Sequence, residues 1–145
     1  MIEGVIVNPV KIITGENGNV MHALKAEDDS YHGFGEAYFS TVNCGAIKAW
    51  KRHHEMTLNI VVPQGEIMFV LYDDRLESNT RGQIMEIKLS TENYQRLTIP
   101  PMVWMGFKGM GKDANILINI ANIQHDPNES DHLDSHKNNI NYDWG

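Results

Sequence analysis

A lysine and a histidine stand two residues apart within the stretch 45–66, GAIKAWKRHHEMTLNIVVPQGE. Because successive side chains of a strand point to opposite faces, Lys51 and His53 should share one face and His54 the other. An imidazole can remove a proton from an acidic carbon, and a neighbouring ammonium can stabilise the anion that forms or bind a phosphate oxygen. The pair therefore predicts proton-transfer chemistry. The alternatives are a core histidine held by a neighbour and a lysine that extends to solvent.

The spacing around this pair resembles the first motif of the cupin barrels, in which glycine, His-x-His, glutamate and a second glycine follow at fixed intervals. Gly45 and Gly65 occupy the two glycine positions, but Lys51 replaces the first histidine and Leu58 replaces the glutamate. In the region that matches the second motif, Met105 stands where a histidine is expected. A metal site needs about three converging nitrogen or oxygen ligands. We therefore expect neither a metal nor another cofactor.

Composition limits the classes of function. The chain has 145 residues, a formal net charge of −7 and 12 basic residues without a cluster. This length fits one domain, residues 1–145. An acidic chain with scattered basic residues does not favour nucleic acid as a partner. The N-terminus does not resemble a signal peptide, no apolar stretch is long enough to span a membrane, and Cys44 stands alone. We expect a cytoplasmic protein that does not bind membranes.

Short apolar runs separated by turn residues dominate the chain, and no segment keeps a helical period over three turns. Roughly ten strands at intervals of about 8–12 residues are typical of antiparallel sandwiches and barrels. The sequence therefore predicts an all-β, cupin-like antiparallel β-sandwich or jelly-roll barrel with few short helical turns. The polar tail after Pro127 ends in Tyr142 and Trp144, and such aromatic residues predict that the tail folds back onto the domain.

The chain also resembles the nucleotide-sugar 3,5-epimerases typified by dTDP-4-dehydrorhamnose 3,5-epimerase, a metal-free branch of the cupin barrel. The similarity runs from about Gly18 to the end of the chain. It rests on the order and spacing of several short sequence motifs. These motifs are Gly45–Trp50, Gly65–Ile67, Tyr72–Arg75, Ser78-x-Thr80-x-Gly82, Leu89-Ser90-x-Glu92-Asn93, Ile99-Pro100 with Gly106-Phe107, and Asn141–Trp144.

The resemblance implies a nucleotide-linked 4-keto-hexose as the small-molecule partner, and a role in making a cell-surface polysaccharide. The family's histidine base falls at Lys51, its phosphate-binding arginine at Lys48 and its catalytic tyrosine at His125. We therefore expect His53 as the base and Lys51 as the enolate stabiliser. His125 is the candidate acid, with a strand-ending turn at Asp126-Pro127 as the alternative reading of that segment. Lys48 and Arg52 are candidates for the diphosphate, although Arg52 should point away from Lys51 in a regular strand. The predicted sugar contacts are Asn59, Asn119 and Trp104, with a bulge or edge position, or a core position for Trp104, as the alternatives.

The resemblance also implies a homodimer, for which the β-branched N-terminal run is a candidate exchanged strand. A second function from another class is a non-catalytic module that binds a sugar or a sugar nucleotide. The substitutions at the expected catalytic positions favour such a module, whereas the retained inward polar residues favour the enzyme. The two differ in the cavity, because an enzyme should place His53 and a second titratable group across it from each other.

Overall fold

The computed structural model describes residues 1–145 as two five-stranded antiparallel sheets that face each other. The first sheet has the order β1-β9-β6-β11-β4 and the second the order β12-β5-β10-β7-β8, while β2 and β3 pair separately. None of its helices has the length and apolar character needed to cross a membrane. The strands are β1 (Ile6–Pro9), β2 (Ile12–Ile13), β3 (Val20–Met21), β4 (Glu36–Val42), β5 (Ile47–His53), β6 (Leu58–Gln64), β7 (Glu66–Tyr72), β8 (Ile84–Ser90), β9 (Gln95–Ile99), β10 (Trp104–Gly109), β11 (Asn115–Ala121) and β12 (Ser130–His132).

This architecture confirms the predicted all-β antiparallel fold. The only helical element is the 3-10 turn Pro127–Glu129, in agreement with the missing helical period. The run 20–25 forms a shorter strand than its apolar residues suggest, because only Val20 and Met21 pair with β2. The N-terminal run, the candidate for strand exchange, pairs as β1 with β9 of its own chain. The homodimer stays a prediction.

The main core lies between the two sheets. It takes alternate residues from the facing strands, such as Leu58, Ile60 and Val62 from β6 and Ile67, Phe69 and Leu71 from β7. These side chains are at most 3 % exposed. The tight turn between the two strands needs Gly65, which has a φ of 82°. Residues other than glycine rarely adopt this backbone conformation. The alternation therefore fixes which residues of β6 face the barrel interior.

A second, smaller core lies on the outer face of the second sheet, where the C-terminal tail covers it. Trp144 packs against Trp50 with ring centroids 5.3 Å apart, and Ile140 and Trp104 belong to the same cluster. The tail lies close to β10 because Gly106 has no side chain: a Cβ there would lie 2.8 Å from Cζ2 of Trp144. The predicted docking of the tail is confirmed.

The loop between β7 and β8 is organised by one buried carboxylate. Asp73 is completely buried and accepts hydrogen bonds from Arg75 Nε at 2.8 Å, Ser78 Oγ at 2.6 Å and Thr80 Oγ1 at 2.6 Å. Burial by itself raises the pKa of Asp73, but these hydrogen bonds outweigh it and hold the pKa well below its usual range. The ionised carboxylate is therefore part of the folded state.

The tail contact gives a first prediction. Replacing Trp144 by alanine should lower the free energy of unfolding by about 3 kcal/mol, because a buried indole is lost and a cavity remains against Trp50. Urea denaturation followed by fluorescence measures the change. Phe34→Ala is the matched control: this aromatic side chain is 65 % exposed, and its loss should shift stability by less than about 0.5 kcal/mol. Equal midpoints for the two variants would contradict a stabilising role for the tail.

The Asp73 cluster gives a second prediction. Asp73→Asn should lower stability by about 2 kcal/mol near neutral pH, since hydrogen bonds to a charged acceptor are lost. The pKa of Asp73 is lower in the folded state than in the unfolded chain, where it is about 3.9. The carboxylate therefore stabilises fully above the unfolded pKa and loses its effect as the pH falls below it.

Urea denaturation at several pH values between neutral and acidic tests this sign. The difference between wild type and Asp73→Asn should be constant down to about pH 5 and should shrink at lower pH. Asp113→Asn, at an exposed position, serves as the control and should behave as wild type throughout. A difference that grows on acidification would refute the assignment.

Candidate active site

The candidate site is an opening between β4 of the first sheet and β5 of the second. A cavity of about 300 Å³ lies there, with a polar rim and an apolar inner end formed by Leu58, Met105 and Phe107. A second cavity of about 360 Å³ adjoins it at the rim. The two cavities share three side chains, Tyr38, Lys51 and His53. These three residues therefore lie at the centre of the site.

A bulge in β5 determines which side chains reach this opening. Lys51 pairs with Met105 and Lys48 with Phe107, so three residues of β5 span the same distance as two residues of β10. The additional residue shifts the alternation by one position. Lys48, Lys51 and His53 consequently all border the cavity, although Lys48 and Lys51 would lie on opposite faces of a regular strand. The predicted common face of Lys51 and His53 is confirmed.

His53 is held by a buried glutamate from the far end of the chain. Its Nδ1 lies 2.6 Å from Oε1 of Glu129, and the two side chains are 10 % and 9 % exposed. The other carboxylate oxygen, Oε2, accepts backbone N–H hydrogen bonds from Glu55 and Met56, both at 2.8 Å. The 3-10 turn that presents Glu129 begins at Pro127 and is capped by Asp126, whose side chain accepts from the Asn128 N–H. Every carboxylate oxygen is thus engaged.

This contact sets the protonation state of the imidazole. Burial raises the pKa of Glu129, but hydrogen bonds from the Glu55 N–H, from His53 and from the Met56 N–H together lower it, so the carboxylate is ionised. An ionised carboxylate only accepts hydrogen bonds, so Nδ1 of His53 carries a proton and Nε2 has a free lone pair. Burial, together with the nearby charges of Lys51 and His132, lowers the pKa of His53 more than the contact with Glu129 raises it. The neutral imidazole is therefore the main form at neutral pH, with Nε2 available as a base.

Two lysines place positive charge at the inner cavity, while one glutamate, Glu36, borders the adjoining cavity. Lys48 donates from Nζ to the carbonyl oxygen of Thr41 at 2.8 Å and to Ser40 Oγ at 3.2 Å. Neither Lys48 nor Lys51 forms a salt bridge. In a protein with a net charge of −7, two unpaired ammonium groups at one cavity provide local attraction for an anionic ligand.

The opposite wall supplies a phenol and an imidazole. Tyr38 of β4 borders both cavities, and its hydroxyl accepts a hydrogen bond of 3.0 Å from Nδ2 of Asn119 on β11. His125 lies in the loop that follows β11 and borders the rim together with Lys51 and His53. His132 pairs with Lys51 and borders the inner cavity. The predicted catalytic residues His53, Lys51 and His125 are thus brought to one opening.

Three predicted binding residues lie elsewhere. Arg52 points to the outer face of the second sheet, where it contacts Asp131 at 2.7 Å and Asp74 at 3.0 Å. Its guanidinium stacks 4.5 Å from the ring centroid of Trp104, which belongs to the outer core. Asn59 lies on the outer face of β6, because Leu58 and Ile60 point into the main core.

Asn59 donates to the carbonyl oxygen of Ser30 at 2.9 Å and accepts from Thr98 Oγ1 at 2.7 Å, so its amide anchors the loop before β4. Asn119 faces inward, as predicted, and reaches the site only through Tyr38. No group of three or more His, Cys, Asp or Glu side chains that could hold a metal ion is present.

Two residues of the site were missed from the sequence. Glu129 stands in a polar segment with turn residues, 76 positions after His53, and nothing in its spacing indicates the contact. Tyr38 stands in a strand-like run where a phenol is equally compatible with a surface position, so its residue type alone did not indicate a site. The available signal was the polar residue Asn119 in the otherwise apolar run 116–121.

The His53–Glu129 contact gives a third prediction. In Glu129→Gln the amide should keep its oxygen on the Glu55 and Met56 N–H groups and turn its NH₂ toward His53. Nδ1 of His53 would then accept, and the ring proton should move to Nε2. Nitrogen-15 NMR of labelled histidine distinguishes the two tautomers. His54→Ala is the control for assignment, since His54 faces outward toward Asp131. An unchanged Nδ1–H tautomer in Glu129→Gln would refute this reading of the contact.

Comparison with known proteins places this geometry in a family. The sequence profile described as dTDP-4-dehydrorhamnose 3,5-epimerase matches residues 1–145, so the similarity begins before Gly18, where the sequence motifs start. Among curated proteins, the probable low-salt glycan biosynthesis epimerase Agl13 of Haloferax volcanii is 30 % identical over 132 residues, which cover 90 % of this chain and 85 % of that protein. The spore coat polysaccharide biosynthesis protein SpsL of Bacillus subtilis is 27 % identical over 131 residues, covering 90 % and 87 %.

A solved structure agrees with this placement. The crystal structure of a dTDP sugar isomerase from Desulfovibrio desulfuricans G20 matches with a TM-score of 0.96 at 38 % identity, covering 99 % of this chain and 92 % of that one. The fold, the complete match to the profile and the identity to Agl13 lead to one conclusion: the chain belongs to the dTDP-4-dehydrorhamnose 3,5-epimerase family.

Proposed function

We propose that this protein is a metal-independent epimerase or keto-isomerase of a 4-keto-hexose linked to a nucleoside diphosphate. The observation that carries the proposal is the neutral imidazole of His53, held at Nδ1 by buried Glu129 and bordering the same cavity as Lys51. The family supports this substrate class, and the names of Agl13 and SpsL support a place in surface polysaccharide synthesis. We further propose a cytoplasmic location and a homodimer, as the family resemblance implies.

The chemistry begins with a proton on the carbon next to the ketone. Nε2 of His53 removes that proton, the C–H electrons form a carbon–carbon double bond, and the carbonyl electrons move onto oxygen. The enolate needs a positive group beside this oxygen, and we assign Lys51 to that role. The carboxylate of Glu129 stabilises the imidazolium that forms, in the way that a buried acid supports a histidine base in other enzymes. Reprotonation of the carbon completes the reaction.

The diphosphate is the second part of the substrate that needs positive charge. Lys48 borders the cavity at the same edge as Lys51, and its Nζ is held only by neutral oxygens. An ammonium can bind a phosphate oxygen as a point charge, without the paired hydrogen bonds of an arginine. We assign Lys48 to the diphosphate. Arg52 is less suited, since both Asp74 and Asp131 already neutralise it on the outer face.

The non-catalytic binding module is less favoured. A module that only holds a sugar has no need for a buried histidine whose proton is directed to Nδ1 by an ionised glutamate. Such an arrangement costs stability, because two polar groups lose water, and it is typical of sites that transfer protons. The group facing His53 that an enzyme requires is also available, in Tyr38 and His125 at the opposite wall.

Solvent deuterium exchange tests the base. Wild-type protein should incorporate deuterium from D₂O next to the ketone of a dTDP-linked 4-keto-hexose, as followed by NMR. His53→Ala should slow this exchange by about 100-fold or more, the usual contribution of a general base. His54→Ala, the adjacent outward-facing histidine, should exchange at the wild-type rate. Equal rates in wild type and His53→Ala would refute the assignment of His53.

The pH dependence gives a further check on the same reaction. The base is active when neutral, so the exchange rate should fall as the pH drops through the pKa of His53. Because burial lowers the pKa of His53, the midpoint of this decrease should lie at a lower pH than that of an unperturbed histidine. A midpoint above the usual histidine pKa of about 6.5 would contradict the neutral imidazole described here.

A further inference from the structure

Inversion at a carbon requires two groups, one on each face of the planar enolate. His53 belongs to β5 of the second sheet, and His132 lies on the neighbouring strand of that same sheet. The first sheet contributes Tyr38, from β4, and this phenol borders both cavities together with Lys51 and His53. A substrate bound between the two sheets would therefore have His53 on one face and Tyr38 on the other.

The hydroxyl of Tyr38 is oriented by a buried amide. Asn119 lies directly opposite Tyr38 in the β4–β11 pairing, is 3 % exposed and donates from Nδ2 to the phenol oxygen at 3.0 Å. The phenol oxygen thus acts as an acceptor from Asn119, and its own proton makes no hydrogen bond within the protein. That proton is available to a ligand in the cavity.

The amide of Asn119 has no evident structural purpose. Its Oδ1 is buried and has no hydrogen-bond partner, and its neighbours on the inner face of β11, Leu117 and Ala121, belong to the apolar core. A buried polar atom without a partner destabilises a fold, so an apolar residue here would favour stability. The contact with Tyr38 is what this amide provides, and it fixes the direction of the phenol.

The alternative donor, His125, is less well placed. Both side chains are exposed, but His125 lies in a loop and makes no hydrogen bond that would hold its ring. Tyr38, by contrast, is carried by a strand that is paired along its full length with β11. Proton transfer depends strongly on the position of the donor, and the phenol is the more firmly positioned of the two groups.

We propose that Tyr38 is the proton donor of the epimerisation and that Asn119 is the residue that positions its hydroxyl. The proposal rests on the function proposed above. After His53 has taken the proton from one face, the carbon–carbon double bond of the enolate takes the phenol proton on the opposite face, and the electrons on oxygen restore the carbonyl. The phenolate then regains a proton from water, and the imidazolium of His53 loses one. The substrate leaves with one carbon inverted and no net change in atoms or charge.

Tyr38→Phe separates the two proton transfers. In D₂O with a dTDP-linked 4-keto-hexose, removal of the proton by His53 and its return on the same face still incorporate deuterium. We expect an exchange rate within about threefold of wild type and epimer formation slowed by about 100-fold or more, as for loss of a general acid. Tyr31→Phe, a tyrosine outside the cavities, should leave both rates at the wild-type level. Asn119→Ala should raise the ratio of exchange to epimerisation in the same direction, by about tenfold.

Four outcomes would overturn the proposal. If Tyr38→Phe formed the epimer at the wild-type rate, the phenol would be excluded as the donor. If this variant lost exchange and epimerisation equally, the role of Tyr38 would be structural. If His125→Gln lost epimerisation while Tyr38→Phe kept the wild-type rate of epimerisation, His125 would be the proton donor. If the wild-type protein neither exchanged nor epimerised these sugars, the proposed function itself would fall, and with it the role of Tyr38. Active wild type combined with active Tyr38→Phe would reject only the present proposal.

Discussion

The extra residue of β5 between Lys48 and Lys51 is the constraint on which the site depends. The second sheet must bury apolar side chains on both of its faces, toward the main core and toward the C-terminal tail. The bulge allows one strand to do this: Trp50 packs in the outer cluster, while the lysines on either side border the cavity. A regular strand would direct one of the two ammonium groups away from the ligand. Local distortion of the ladder thus produces the cationic wall.

The second requirement is a buried partner for His53, and the segment after β11 supplies it. The same short segment provides the 3-10 turn with Glu129 and the strand β12 that pairs with β5. The pairing of β12 with β5 fixes the position of Glu129 along β5 relative to His53. The N–H groups of Glu55 and Met56 hold its carboxylate by hydrogen bonds. The ionised carboxylate is therefore stabilised by the backbone of the strand end that carries the base. The site and the edge of the sheet are one structural unit.

The sequence predicted the architecture well, because short alternating runs and the glycines at 45 and 65 report directly on strands and tight turns. It also predicted the shared face of Lys51 and His53, since a common face follows from strand parity alone. Alternation gives the wrong face where a strand is irregular. The bulge in β5 brings Lys48 to the same face as Lys51, which alternation alone could not predict. Asn59 was expected inside, yet Leu58 and Ile60 on either side of it take the inner positions. The contact of Glu129 with His53 could not be predicted, because the two residues are 76 positions apart and such a contact leaves no local sequence pattern.

The pairing of residue 53 with residue 129 also determines when the site can exist during synthesis. β5 leaves the ribosome long before the turn that carries Glu129, so a nascent chain has His53 without its carboxylate. The segment that covers Trp50 and Trp104 emerges later still, since it follows every strand that it covers. Until then the indoles of Trp50 and Trp104 on the outer face of the second sheet lack the segment that buries them in the folded domain. The pairing of His53 with Glu129 and the burial of Trp50 and Trp104 by the C-terminal tail are thus both late steps in the folding of the domain.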